Sequence, residues 1–123
     1  MLTRDEALGC IPLKNTAASE KRLASGDLLI AYPQSMRPWA KALLRRFGKG
    51  GEPSAPIKKL QLDKLGSGAW DLIDGRRTVR QITIAFAETH RMPYREAEFS
   101  VSQFLRELGK RGLVGMKWRQ HRD

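Results

Sequence analysis

A chain of 123 residues and 13.9 kDa has room for one domain with a modest core. Its 41% hydrophobic and 29% charged residues exclude collagen-like, mucin-like and disordered classes, and no apolar run reaches the ~20 residues that span a bilayer. The net charge of +10 is local: Arg37, Lys41, Arg45, Arg46 and Lys49 stand without an acid in 36–50, and Lys110, Arg111, Lys117, Arg119 and Arg122 face only Asp123 in 109–123, which implies local contact with an anionic surface or simply solubility.

Residues 1–15 read as a short N-terminal segment broken by Gly9 and Pro12. They carry acids early and no apolar h-region, and Cys10 is the single cysteine, so a cytoplasmic protein without an internal disulfide is expected. Residues 19–23 and 28–32 flank the turn-like Ala24-Ser25-Gly26-Asp27 and predict two antiparallel strands in a hairpin. Met36, Trp39, Ala40, Leu43, Leu44 and Phe47 then recur at helical spacing, with Pro38 in the first turn. A Gly/Pro/Ser linker ends this segment, and 57–62 (IKKLQL) alternates as a third strand, Ile57 departing only slightly from the Leu60/Leu62 face.

The second half is helical. Asp63 can cap a helix whose Leu65, Ala69, Leu72 and Ile73 share a face, and Gly75 supplies a left-handed stop. Thr78 with Gln81 makes a capping box ahead of Val79, Ile82 and Phe86. The break at 90–93 precedes a third helix over 94–110 that turns Ala97, Val101, Phe104 and Leu108 inward. Residues 113–116 add a short wing. The element order gives an α+β fold of winged helix-turn-helix type: a three-stranded N-terminal sheet, three helices and a wing. The domain proper spans 16–116, with 36–56 as a basic amphipathic insertion and linker and 117–123 as a basic tail.

Little in the inventory supports catalysis or metal binding. His90 and His121 are far apart in sequence, Cys10 is alone, and no matched acid–base pair, nucleophile elbow or phosphate loop is present; no metal or cofactor is expected. Gly66-Ser67-Gly68 lacks the Lys-Ser/Thr of a phosphate loop and is read as room for a backbone to approach the first helix. Both histidines are read as surface residues. As a DNA reader the third helix is poorly made, because Glu96 and Glu98 occupy its first turns and its net charge is zero, so nucleic acid is the runner-up partner. The amphipathic face carrying Trp39, Leu43, Leu44 and Phe47, with Arg37, Lys41 and Arg45 beside it, has three readings: it covers the domain's own core, lies on an anionic membrane surface, or docks a partner.

The run 62–82 (LDKLGSGAWDLIDGRRTVRQI), followed by Val101-Ser102-Gln103-Phe104-Leu105 and Gly112-Leu113-Val114, resembles the PqqD-like family over about 57–116. The shared features are an Asp-led helix, a Trp-x-Leu-x-Asp-Gly turn, a Thr-Val-x-x-Ile helix and a closing Gly-Leu-Val. The extra 36–50 segment marks a longer subgroup. The resemblance implies a non-catalytic recognition element for ribosomally made, modified peptides, as in PQQ biosynthesis. Such an element presents a precursor's leader to a modifying enzyme, often a radical S-adenosylmethionine protein. The leader would add as a strand to the sheet edge at 57–62 and lie against the third helix. Carried onto this chain, the peptide-binding residues are Ile57, Lys58, Leu60, Leu62, Phe99, Ser102 and Leu105. Lys58 and Lys59 suit an acidic leader, although lysines on an edge also block aggregation. Proline at Leu60 is expected to remove an edge donor. Exposed edges and a basic arm also permit a homodimer.

Overall fold

Alternation along one strand organises the molecule. In a computed structural model that describes residues 3–33 and 57–118, Leu28, Ile30 and Tyr32 of β3 (Leu28–Pro33) all turn into the core. β3 is the middle strand of an antiparallel sheet, between β2 (Ser19–Arg22) and β4 (Ile57–Leu62). The turn that joins β2 to β3 sets the pairing. Gly26, at φ +93°, donates its N–H to the Leu23 carbonyl at 2.9 Å, and the Leu23 N–H donates to the Asp27 carbonyl at 2.8 Å. Glycine is the residue that takes this left-handed conformation without steric cost.

That turn fixes which backbone groups of the sheet point where. The Asp27 carbonyl faces β2, so by the pleat the N–H and C=O groups of Leu29 and Ala31 also face β2, while those of Leu28, Ile30 and Tyr32 face β4. Their partners on β4 are Leu62, Leu60 and Lys58. The intervening Ile57, Lys59 and Gln61 therefore turn their backbone groups to the opposite border of β4. Their side chains lie on the outer face of the sheet, which is why Ile57 is 64% exposed and does not join the Leu60/Leu62 face as its sequence position suggested.

Three helices cover the inner face. Asp63 caps α2 (Lys64–Asp71), its Oδ1 accepting from the Gly66 N–H at 2.9 Å. Thr78 and Gln81 form the expected reciprocal box at the start of α3 (Val79–His90). Arg91, left-handed at φ 51°, ends α3, and α4 (Tyr94–Lys110) follows Pro93. Trp70, Ile82, Val101, Leu108 and Leu113 are almost fully buried with Ile30. Each contributes on the order of 1.5–3 kcal/mol of apolar burial. Gly75, at φ +78°, takes the left-handed turn after α2, and the Asp74 carboxylate accepts the N–H groups of Arg76 and Arg77 at 2.9 and 2.8 Å.

The N-terminal segment packs into the fold. Residues 4–8 form a helix, α1 (Arg4–Leu8), capped by Thr3, whose hydroxyl oxygen accepts from the Glu6 N–H at 3.1 Å. Leu8 and Cys10 are buried. Gly9 closes the helix, and Pro12 sits inside β1 (Ile11–Lys14), which pairs antiparallel with β5 (Val114–Lys117) in a second, two-stranded sheet. Residues 114–117 thus have a strand partner at 11–14, and this pairing draws the N-terminal segment and Lys117 into the fold on either side of 16–116.

Three side chains lie differently from their sequence reading. Leu65, expected inward, is 49% exposed. On α4 the inward stripe runs Ala97, Val101, Leu105 and Leu108, so Leu105 takes the core position assigned to Phe104, and Phe104 moves to the flank of the stripe. His90 is half-buried rather than on the surface: its ring packs on Phe86 with centroids 4.4 Å apart, and its Nε2 lies 3.2 Å from where a Cβ on Gly68 would stand. Gly66 and Gly68 therefore admit the side chains of Leu62 and His90, not a backbone.

Candidate functional site

The outer border of β4 carries no paired strand among the described residues. The backbone N–H and C=O groups of Lys59 and Gln61 point along it. Leu60, by contrast, turns its N–H toward β3. Proline at Leu60 would break the internal ladder, and the donors of the open border belong to its two neighbours.

Beside this border lies a groove of about 350 Å³, formed where β4, the start of α2, α3 and α4 meet. Leu62, Leu65, Gly66, Phe86, Ser100 and Phe104 wall it. The wall is mainly apolar, and the sequence explains how it stays open. Ser67, buried in α2, donates its hydroxyl to the Leu62 carbonyl at 3.1 Å and so locks the end of β4 to the helix. Gly66 carries no side chain to fill the space. Phe104 flanks the core stripe and reaches the groove from α4.

The residues singled out from the sequence separate into three places. Leu62 lines the groove, Leu60 is half-buried on the same face of β4, and Lys58 lies two residues further along that face. Phe99, 67% exposed, and Ser102 lie instead in a second concavity of about 560 Å³ with Arg4, Arg95 and Glu98. Leu105 is 4% exposed and packs in the core. Trp39, Leu43, Leu44, Phe47, Arg37, Lys41 and Arg45 lie outside the described residues. The sequence reading missed Leu65, Gly66, Phe86, Ser100 and Phe104 as groove residues. Nothing in a helical stripe marks which flank faces a strand border; the pleat parity set by the Gly26 turn does carry that signal for β4.

Charge is unevenly placed around these surfaces. Arg4 grips Glu98 through two bonds, Nε–Oε2 at 3.0 Å and Nη2–Oε1 at 2.6 Å, and this guanidinium holds the Glu98 carboxyl below the usual carboxylate range. The Arg4–Glu98 pair neutralises much of the second concavity. Lys58 and Lys59 are exposed and make no ion pair among the described residues, which leaves one end of the β4 border cationic. Asp63 stands at the other end.

Among the described residues no three His, Cys, Asp or Glu side chains gather where a metal ion could be held, and no helix is long and apolar enough to cross a membrane. An open strand border over an apolar groove can hold an extended peptide: backbone groups satisfy backbone groups, and every second side chain drops into the groove. Residues 56–114 match the model of the family described as coenzyme PQQ synthesis protein D (PqqD). No curated protein and no solved structure matches the chain.

Proposed function

From a chain that is PqqD-like over residues 56–114, we propose a non-catalytic adaptor that binds the leader of a ribosomally made precursor peptide and presents it to a modifying enzyme, of the radical S-adenosylmethionine class. The observation that carries this reading is the border of β4, unpaired among the described residues, beside the apolar groove. The leader adds as a fourth strand. Lys59 and Gln61 supply its backbone partners, and Leu62, Phe86 and Phe104 receive its side chains. Backbone pairing gives affinity that any sequence can share, so choice among peptides rests with the groove and the lysines. The packing of α2, α3 and α4 against the sheet, with β5 beyond them, is on this reading a winged-helix-like scaffold put to peptide rather than DNA binding.

Amide hydrogen exchange on the full chain, with and without a synthetic leader of a coenzyme PQQ precursor peptide, tests the proposal. Slowed exchange at Lys59 and Gln61 is the expected result. A leader that binds while both amides exchange at their free rate rules strand addition out.

A further inference from the structure

We propose that the groove selects extended segments in which a bulky apolar residue is followed, four residues later, by a carboxylate, and that Gly66 sets the size of the apolar residue. This rests on strand addition to β4. In an antiparallel pair, residues directly opposite each other share a face. The residues of an added strand that oppose Leu62, Leu60 and Lys58 therefore all project toward the helices, with about 13 Å between the first and the last at the usual rise per residue.

The two ends of that row meet different chemistry. Opposite Leu62, a side chain descends into the groove between Gly66, Phe86 and Phe104, where only Ser100 offers a hydroxyl. Asp63 follows at once, and a carboxylate brought there would meet like charge. Opposite Lys58, a side chain meets an exposed ammonium that makes no ion pair among the described residues. Tyr32, the β3 partner of Lys58, takes its hydrogen bond from Arg111, whose charge is answered by Glu107 at 3.5 Å, so the cation offered to a guest at this end is Lys58. An antiparallel guest runs from the Leu62 end to the Lys58 end, so the apolar residue comes first in its sequence and the acid four residues later.

Gly66 lies in the first turn of α2 without a left-handed backbone, so its close approach to Leu62, and not its own conformation, is what calls for glycine. A Cβ there would stand 3.3 Å from Cβ of Leu62, 3.4 Å from its Cδ2 and 3.4 Å from Oδ1 of Asp63. Any side chain at this position crowds Leu62, itself a wall of the groove. Glycine keeps that wall back and leaves room for an aromatic ring.

The test uses fluorescence anisotropy with a labelled Ser/Thr host peptide of about a dozen residues, carrying Trp and, four residues later, Glu. Replacing its Trp by Ala is expected to weaken binding by at least about tenfold. Replacing its Glu by Lys weakens binding to the native chain and restores it to Lys58→Glu. Gly66→Ala weakens the Trp peptide more than a Leu counterpart, while its far-UV circular dichroism stays that of the native chain. Equal binding of the Trp and Ala peptides, indifference to the acid or to its order relative to Trp, no measurable binding of the Trp/Glu peptide, or a Gly66→Ala chain that treats all peptides as the native one does overturns the proposal. Lys59→Pro separates the two levels. If it abolishes binding while Trp and Ala peptides bind alike, strand addition stands and the selectivity fails; if it leaves the Trp/Glu peptide bound unchanged, strand addition itself fails.

Discussion

Arg111, at the C-terminal cap of α4, donates from Nη1 to the phenolic oxygen of Tyr32 at 3.1 Å and so ties the longest helix to the central strand. Tyr32 is 3% exposed, and its hydroxyl is the polar tip of an otherwise apolar strand face. The Arg111 guanidinium is driven further toward its charged form by this bond first, with Glu107 adding to it. Tyr32→Phe removes the acceptor and leaves the packing ring in place. A loss of about 1 kcal/mol is expected, read as a fall in thermal midpoint of roughly 4 °C. No change in midpoint would show that solvent replaces the phenol fully.

Proline scanning of β4 separates the two borders of the strand. Lys59→Pro deletes an N–H that faces the open border, so the fold should survive and leader binding should be lost. Leu60→Pro deletes an N–H that faces β3, and the chain should lose on the order of 3 kcal/mol of stability before any binding is measured. Denaturant midpoints paired with peptide titration check both. Equal stabilities for the two variants would overturn the assigned pleat.

At the start of α3 the Thr78 hydroxyl oxygen accepts from the Gln81 N–H at 3.2 Å, and the Gln81 side chain accepts from the Thr78 N–H at 2.9 Å. Thr78→Ala should cost about 1 kcal/mol, measured by urea unfolding. Gln81→Ala should cost less, because Thr78 still satisfies one of the first free amides of the helix.

Acid should destabilise the protein through two carboxylates. Glu98 is held low by the Arg4 guanidinium, and Asp74 by the backbone N–H groups of Arg77 and Arg76. In both, the folded pKa lies below the unfolded value of about 4. Their stabilisation is complete above that value and is lost as the pH falls through the folded values. A Glu98→Gln, Asp74→Asn chain should therefore show a flatter fall in stability below about pH 4 than the native chain, followed by thermal melts across that range. An unchanged slope would assign the acid sensitivity to other groups.

Much of this architecture was legible because local chemistry and tertiary need agree. Asp63, Thr78 and the 94–110 stripe each announce a boundary that the structure keeps, whereas the helix led by Asp63 stops at Asp71 and Gly75 turns the chain three residues beyond its cap at Leu72. The helix at 4–8 was missed because five residues are too few for a periodic signal, although Thr3 and Glu6 already have capping spacing. β1 was missed because its partner lies at the far end of the chain. The site was half legible. The open strand can be read from alternation, but Phe99 and Ser102 lie on the flank of α4 that faces Arg4 and not in the groove, because a stripe one residue wide decides which side chains face the strand and which face Arg4.

Pro33 and Ile57 are register partners, so the two ends of residues 34–56 are clamped side by side at one corner of the sheet. The cost of closing such a connection grows by only about 0.6 kcal/mol with each doubling of its length. A change in the length of this connection therefore alters the closure term only slightly, while the pairing of β3 with β4 keeps both of its ends at one corner.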